Sequence, residues 1–151
     1  VDGMVGKQTA WSLINEVSKP QPGSTTPSRG AILRSSPDME CLARTIYGEA
    51  RGEPYEGKVA VAAVVLNRLE SGLFGNSIRE VVFQRGAFTA VSDGQYYLTP
   101  DSTSYQAARA ALQGWDPTNG ALYYWNPITA TSKWIWSRPI ITTIGRHVFA
   151  Y

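Results

Sequence analysis

Residues 37–151 read as an α+β domain, mainly helical, that closes on a small C-terminal β-sheet. Three observations lead there. Apolar residues recur at helical spacing from Met39 to Ala50. "VAVAAVVL", Val59 to Leu66, is apolar all round, as in a helix buried on every side. Beyond Gly120 the chain turns β-branched and aromatic, in short runs broken by Pro and Gly.

The elements follow in order. Ser36 suits a helix N-cap, Pro37 the first helical position, and Asp38 and Glu40 the positive end of the dipole. Met39, Leu42, Ala43, Ile46, Tyr47 and Ala50 then form one face, and Gly52 and Pro54 end the helix. Pro54 opens a second helix to about Ser71, in which Ala60, Ala62 and Ala63 admit close neighbours. Ser77 and Glu80 form a capping box for a short helix, "SIREVVF". "QRGAFTAVSDGQYY" reads as a glycine-containing loop, and a further helix runs from Ser102 to Gln113 and stops at Gly114. "ALYYWNP", "KWIWSRPIITTIG" and "RHVFAY" read as short strands or hairpins.

Ahead of this domain, residues 18–36 have the Pro, Ser, Gly and Thr content of a flexible linker. Residues 1–17 pair a glycine turn with a short helix carrying Trp11, Leu13 and Ile14, too little to bury its own face. The chain starts at Val1, as expected of a fragment or a processed form.

Of the 151 residues, 43% are hydrophobic and 17% charged, the balance of a folded domain. A net charge of +2 from scattered cations argues against nucleic acid and suits an anionic polymer such as cell wall. The longest apolar run, Val59 to Leu66, is far short of the roughly 20 residues of a membrane span. One cysteine and one histidine offer no zinc cluster, so no metal and no cofactor is expected.

The residue that asks for a function is Glu49, in "ARTIYGEARGEP". It falls where the first helix should end, at the edge of the apolar stripe beside Leu42 and Thr45. Burial and the negative end of the helix dipole both disfavour its charged form. A general acid needs that, to stay protonated near neutral pH. Gly48 leaves room for a ligand backbone or sugar ring to come close. The plainer reading, a helix-end Glu that pairs with Arg51 or caps a loop amide, stands beside it. Glu53, Glu56, Asp93, Asp101 and Asp116 sit in polar or turn contexts suited to surface or capping roles.

"ARTIYGEARGEPYEGKVAVAAVVLNR" (Ala43 to Arg68), "GALYYWNP" (Gly120 to Pro127) and "IGRHVFAY" (Ile144 to Tyr151) together resemble the SleB-type cell wall hydrolases, the germination-specific spore cortex-lytic enzymes. The first stretch resembles their catalytic signature. Asp2, Gly3, Gly6 and Thr9 match the D-G-x-x-G-x-x-T that ends a peptidoglycan-binding repeat, so the resemblance makes 1–17 the remnant of such a domain. It implies a lysozyme-like, lytic transglycosylase-like fold with Glu49 as the catalytic acid. Such enzymes cut the MurNAc–GlcNAc bond of cortex peptidoglycan during germination, leaving 1,6-anhydromuramic ends. It also implies a monomer secreted during sporulation to the spore cortex or inner spore membrane surface. Its partners would be glycan strands and an inhibitory or stabilising spore protein.

Aromatics crowd the C-terminal quarter and suit sugar stacking, although core filling explains most of them. Tyr123 and Tyr124 point to opposite sides of a strand, so one of the two should face a groove. Asn126 offers an amide; Gln84, Phe88 and Ser92 would line a cleft from their loop; His147 reads as structural or substrate-contacting. A hydrolytic muramidase with a second carboxylate remains an alternative. A peptidase pairing Cys41 with His147 is another, although Cys41 should fall opposite the apolar face of its helix. A non-catalytic carbohydrate-binding module is the third reading.

Overall fold

The computed structural model of the protein describes residues 37–151. The remnant expected over 1–17, the linker over 18–36 and the Ser36 cap lie outside the described residues. Helix α1 spans Pro37–Ala50 and α2 spans Tyr55–Ser71, with Pro54 as the extended residue before it. Gly72 ends α2 at φ 74, a left-handed turn that glycine enters without strain.

Ile78–Phe83 forms α3, whose first turn is capped by the Ser77 side chain accepting from the Glu80 N–H. Glu80 reaches back to the Asn76 N–H rather than to Ser77 itself. The stretch read as a loop is more ordered than its sequence suggests: it holds helix α4, Thr89–Ser92, and a 3-10 turn, Gln95–Tyr97. Four residues show no periodicity, so α4 has no signature to read. Helix α5, Ser102–Leu112, is capped by Asp101.

Three strands follow, β1 (Tyr123–Trp125), β2 (Ile140–Ile144) and β3 (His147–Ala150), in the antiparallel order β1-β3-β2. "KWIW", read as strand, is instead a single helical turn, α6 (Lys133–Trp136), begun by the Ser132 hydroxyl accepting from the Ile135 N–H. Local capping outweighs the aromatic β-preference there. Among the described residues no helix is long and apolar enough to cross a membrane.

α2 is the axis of the core. From Val59 to Leu66 it is buried on every side, packed between α1, α3, α5 and the sheet. α1 is nearly as enclosed. Cys41 does not lie opposite the apolar face as the wheel suggests; it is 3% exposed, inside the cluster with Met39, Leu42 and Ile46. Neighbours on several sides of α1 leave it no fully wet face.

Glu53 also departs from its expected surface role. Its side chain is 4% exposed, and it accepts from the backbone N–H of Arg146 and from Arg146 Nε, both at 2.9 Å. Arg146 belongs to the two-residue turn between β2 and β3, so this ion pair bolts the hairpin to the α1–α2 corner. Gly145, at φ 59, is required beside it: a Cβ there would overlap Glu53 Oε1 and sit 2.8 Å from Pro54 Cδ.

Two substitutions test this anchor by urea denaturation. Glu53→Ala removes the acceptor of both the Arg146 N–H and its Nε and should lower stability by about 1–3 kcal/mol. Gly145→Ala adds left-handed strain to the overlap and should cost at least as much, about 1–3 kcal/mol from the backbone alone. Midpoints within error of wild type would show that the hairpin is held by other means.

Candidate active site

Glu49 lies in the last turn of α1, partly exposed. Its Oε2 accepts from the backbone N–H of Ala90 at 2.7 Å, and its Oε1 accepts from the Tyr124 hydroxyl at 2.5 Å. Ala90 is in the first turn of α4, where backbone N–H groups have no partner within the helix. Tyr124 is the middle residue of β1. Two donors from two distant segments therefore fix the carboxyl plane, and each oxygen keeps further lone-pair capacity. Arg51 does not pair with Glu49; it donates to Gln95 Oε1 and lies 4.5 Å over the Tyr47 ring.

Gly48 serves this geometry in a different way from the one expected. A Cβ at Gly48 would stand 2.5 Å from the Ala90 Cβ. The missing side chain makes room for α4, not for a ligand, and so lets the Ala90 N–H reach Glu49.

Around Tyr124 the sheet and the loop converge. In the register of β1 with β3, Tyr124 faces Phe149, and His147 follows two residues before it on the same side. The His147 ring meets Tyr124 edge-on at 5.0 Å, and Phe88 closes the other side at 6.3 Å. Burial first, then the nearby charge of Glu49 and their hydrogen bond, hold the Tyr124 phenol well above its usual range. It is thus kept as a proton donor to Glu49. His147 is 8% exposed and its Nδ1 has no partner. Burial lowers its affinity for a proton, only partly offset by the charge of Glu53.

Of the residues singled out in the sequence, Glu49, Tyr124, Phe88 and His147 thus come together. Tyr123 does not reach Glu49; it lies against Phe74 at 6.0 Å, Trp134 at 5.3 Å and the Arg68 guanidinium at 5.3 Å. Gln84 is exposed at the end of α3, its carbonyl accepting from the Ala87 N–H. Ser92 is exposed and donates to the Thr89 carbonyl within α4. Asn126 Oδ1 accepts from the Ile128 N–H, closing its own turn. These three side chains or backbones serve local structure. Among the described residues, no group of three or more His, Cys, Asp or Glu is placed to hold a metal ion.

Sequence reasoning missed the Ala90 N–H and Arg68. A backbone donor carries no residue signature. Arg68 does have one, a cation near the end of a helix whose centre is apolar. Its Nε donates to the Leu122 carbonyl at 2.7 Å, while the neighbouring Asn67 side chain donates to the Ala121 carbonyl at 3.0 Å. Together they aim the chain into β1.

Comparison with known proteins agrees with this architecture. Residues 52–150 match the family model described as Cell Wall Hydrolase. A spore cortex-lytic enzyme of Bacillus cereus is 46% identical over 99% of this chain and 66% of its own length. That of Bacillus subtilis is 59% identical over 76% of this chain and 38% of its own. The chain thus spans about two thirds or less of the length of these relatives.

Among solved structures, the catalytic domain of the Bacillus cereus SleB protein matches with a TM-score of 0.72 and 52% identity, over 85% of this chain and 94% of that one. The catalytic domain of the germination-specific lytic transglycosylase SleB from Bacillus anthracis matches with a TM-score of 0.73 and 52% identity, over 85% of this chain and 99% of its own. The fold is that of these catalytic domains, and the chain belongs to the cell wall hydrolase family.

Proposed function

We propose that the domain is a lytic transglycosylase that cuts the MurNAc–GlcNAc bond of spore cortex peptidoglycan during germination, with Glu49 as its single acid and base. The observation that carries this reading is the state of the carboxylates. Glu49 is partly exposed, is held by donors from α4 and β1, and has no cation paired to it among the described residues, whereas Glu40, also held by two donors, is paired with Arg44. Glu53 is locked to Arg146, and Asp93, Asp101 and Asp116 spend their oxygens on nearby turn and cap groups. The family membership and the Bacillus anthracis relative support the same chemistry.

In the proposed reaction Glu49 donates its proton to the glycosidic oxygen as the bond to muramic C1 breaks. The muramic C6 hydroxyl then bonds to C1, and its proton returns to the Glu49 carboxylate. No water is consumed, and the enzyme ends as it began. A hydrolysing glycosidase would place a second carboxylate to hold a water on the far face of the sugar. The C6 hydroxyl needs no such group, because it is tethered to the reacting ring and acts at high effective concentration.

The test is the product. Muramic ends should lack one water, resist borohydride reduction and carry no oxygen from labelled solvent water. Reducible ends bearing solvent oxygen would overturn the transglycosylase reading in favour of a muramidase.

Glu49→Gln should fold normally and lose about 10²–10⁴-fold in turnover on purified cortex. Tyr124→Phe keeps the packing against Phe88 and Phe149 but removes one donor to the carboxyl. It should lower kcat by roughly 10- to 100-fold, the scale of a hydrogen bond to a charged group. Near-normal lysis by either variant would remove that residue from the machinery.

Cys41 is buried in the core, its thiol held above its usual range by burial although Tyr96 hydrogen-bonds to it. Thiol-blocking reagents applied to the folded protein should therefore leave lysis unchanged. Inactivation with release of free amino groups from peptidoglycan would point instead to a cysteine peptidase.

A further inference from the structure

We propose that Arg68 is a substrate-positioning cation of the cleft, whose guanidinium takes an acyl oxygen, amide carbonyl or carboxylate, of the muramic residue beside the bond that is cut. The inference rests on the glycan-cleaving reading above and names what else the same site holds.

Arg68 is 8% exposed, at the C-terminal end of α2. The ion pairs among the described residues are Arg44–Glu40 and Arg146–Glu53, so no carboxylate there neutralises Arg68. A buried cation without a counter-ion is costly, and a partner supplied from outside would remove that cost on binding. What surrounds it is aromatic. Its guanidinium carbon lies 4.8 Å from the Phe74 ring centroid, 5.3 Å from that of Tyr123 and 5.4 Å from that of Phe88. Ring faces attract the charge but accept none of the in-plane N–H bonds through which guanidinium recognises oxygen.

Of the five N–H donors, one, on Nε, is used on the Leu122 carbonyl. The terminal nitrogens have no acceptor among the described residues. Nor are they among the unpartnered polar atoms sealed from solvent, which are Arg109 Nε, Trp125 Nε1 and His147 Nδ1. Among the described residues nothing takes up these terminal nitrogens.

Their position ties them to the chemistry. Phe88, which walls Arg68, also packs on Tyr124, and Tyr124 donates to Glu49. The charge of Arg68 is felt at the Tyr124 hydroxyl. A muramic residue presented to Glu49 carries two kinds of acyl oxygen, the N-acetyl carbonyl and the lactyl or stem-peptide carboxyl. Either matches the planar fork. Holding the Leu122 carbonyl alone would not call for a charge, since a neutral donor performs it without desolvating a cation.

Arg68→Lys and Arg68→Met in the full chain test this, with melting temperature, kcat and KM measured on three substrates: intact glycan, de-N-acetylated glycan and glycan stripped of stem peptide. On intact glycan Arg68→Met should lose roughly 10- to 100-fold in kcat/KM, mostly through KM, and Arg68→Lys should recover part of it. If Arg68 holds the N-acetyl oxygen, the loss should shrink on de-N-acetylated glycan; if it holds the lactyl oxygen, the loss should grow on glycan stripped of stem peptide, where that group is a free carboxylate, which identifies its source. Wild-type kinetics in a folded variant, an equal loss on all three substrates, or failure of both variants to fold would each assign Arg68 to the Leu122 contact alone and overturn the proposal. A wild-type chain that leaves all three glycans uncut would instead sink the functional reading itself.

Discussion

The site depends on how closely the end of α1 approaches the start of α4. Gly48 and Ala90 meet where no Cβ fits on Gly48. That contact brings a backbone N–H, which α4 cannot satisfy internally, onto one oxygen of Glu49. Any larger residue at 48 would push α4 outward and leave Glu49 held from the Tyr124 side alone. α4 is also the segment that carries Phe88 at its head, so the same contact sets one wall of the site, Phe88 against Tyr124.

The opposite wall is a sheet too small to stand by itself. Three strands of three to five residues are marginal without a partner surface. α2 supplies that surface and is clamped to it at both ends. At its start, Glu53 grips the β2–β3 turn through Arg146, and Gly57 lies under Ile144. At its finish, Asn67 and Arg68 grip the carbonyls of Ala121 and Leu122 as the chain enters β1. Asp116 completes this end by accepting from Asn67, Thr118 and Gly120. Tyr124 reaches Glu49 only because both ends of one buried helix hold the sheet in place.

How much of this was legible follows from the range of each signal. The long helices announce themselves through their apolar residues, and Pro54, Ser77 and Asp101 mark where helices begin. The alternation of Tyr123 and Tyr124 foretold that the two would face apart, although not which would meet the acid. α4 and α6 are single turns and carry too few residues for any period. Glu49 was visible from its place at the edge of an apolar stripe. Tyr124 was singled out too, but not as a donor to Glu49 from 75 positions away, and the Ala90 N–H, 41 positions away, is backbone. Polar residues such as Ser92 and Asn126 are ambiguous in sequence because the same groups that bind amides also close their own turns. Cys41 misled for a related reason: a wheel shows one face, and α1 has neighbours on several.

In the proposed reaction, an acid that must next act as a base sets a demand that ordinary acid catalysis does not. The carboxyl has to keep its position while its charge changes, or the second proton transfer begins from the wrong place. Fixed donors on both oxygens meet that demand, because a carboxylic acid and a carboxylate can each accept from them. The donors must themselves be unable to change state. A backbone N–H meets this condition, and the Tyr124 phenol does so because burial and the neighbouring charge keep its proton in place. His147, by contrast, is the group in this cluster whose ordinary titration lies nearest neutrality, and burial displaces it toward the neutral ring. The burial around Tyr124 thus favours the protonated phenol and the neutral imidazole, while in the proposed reaction Glu49 alternates between two states.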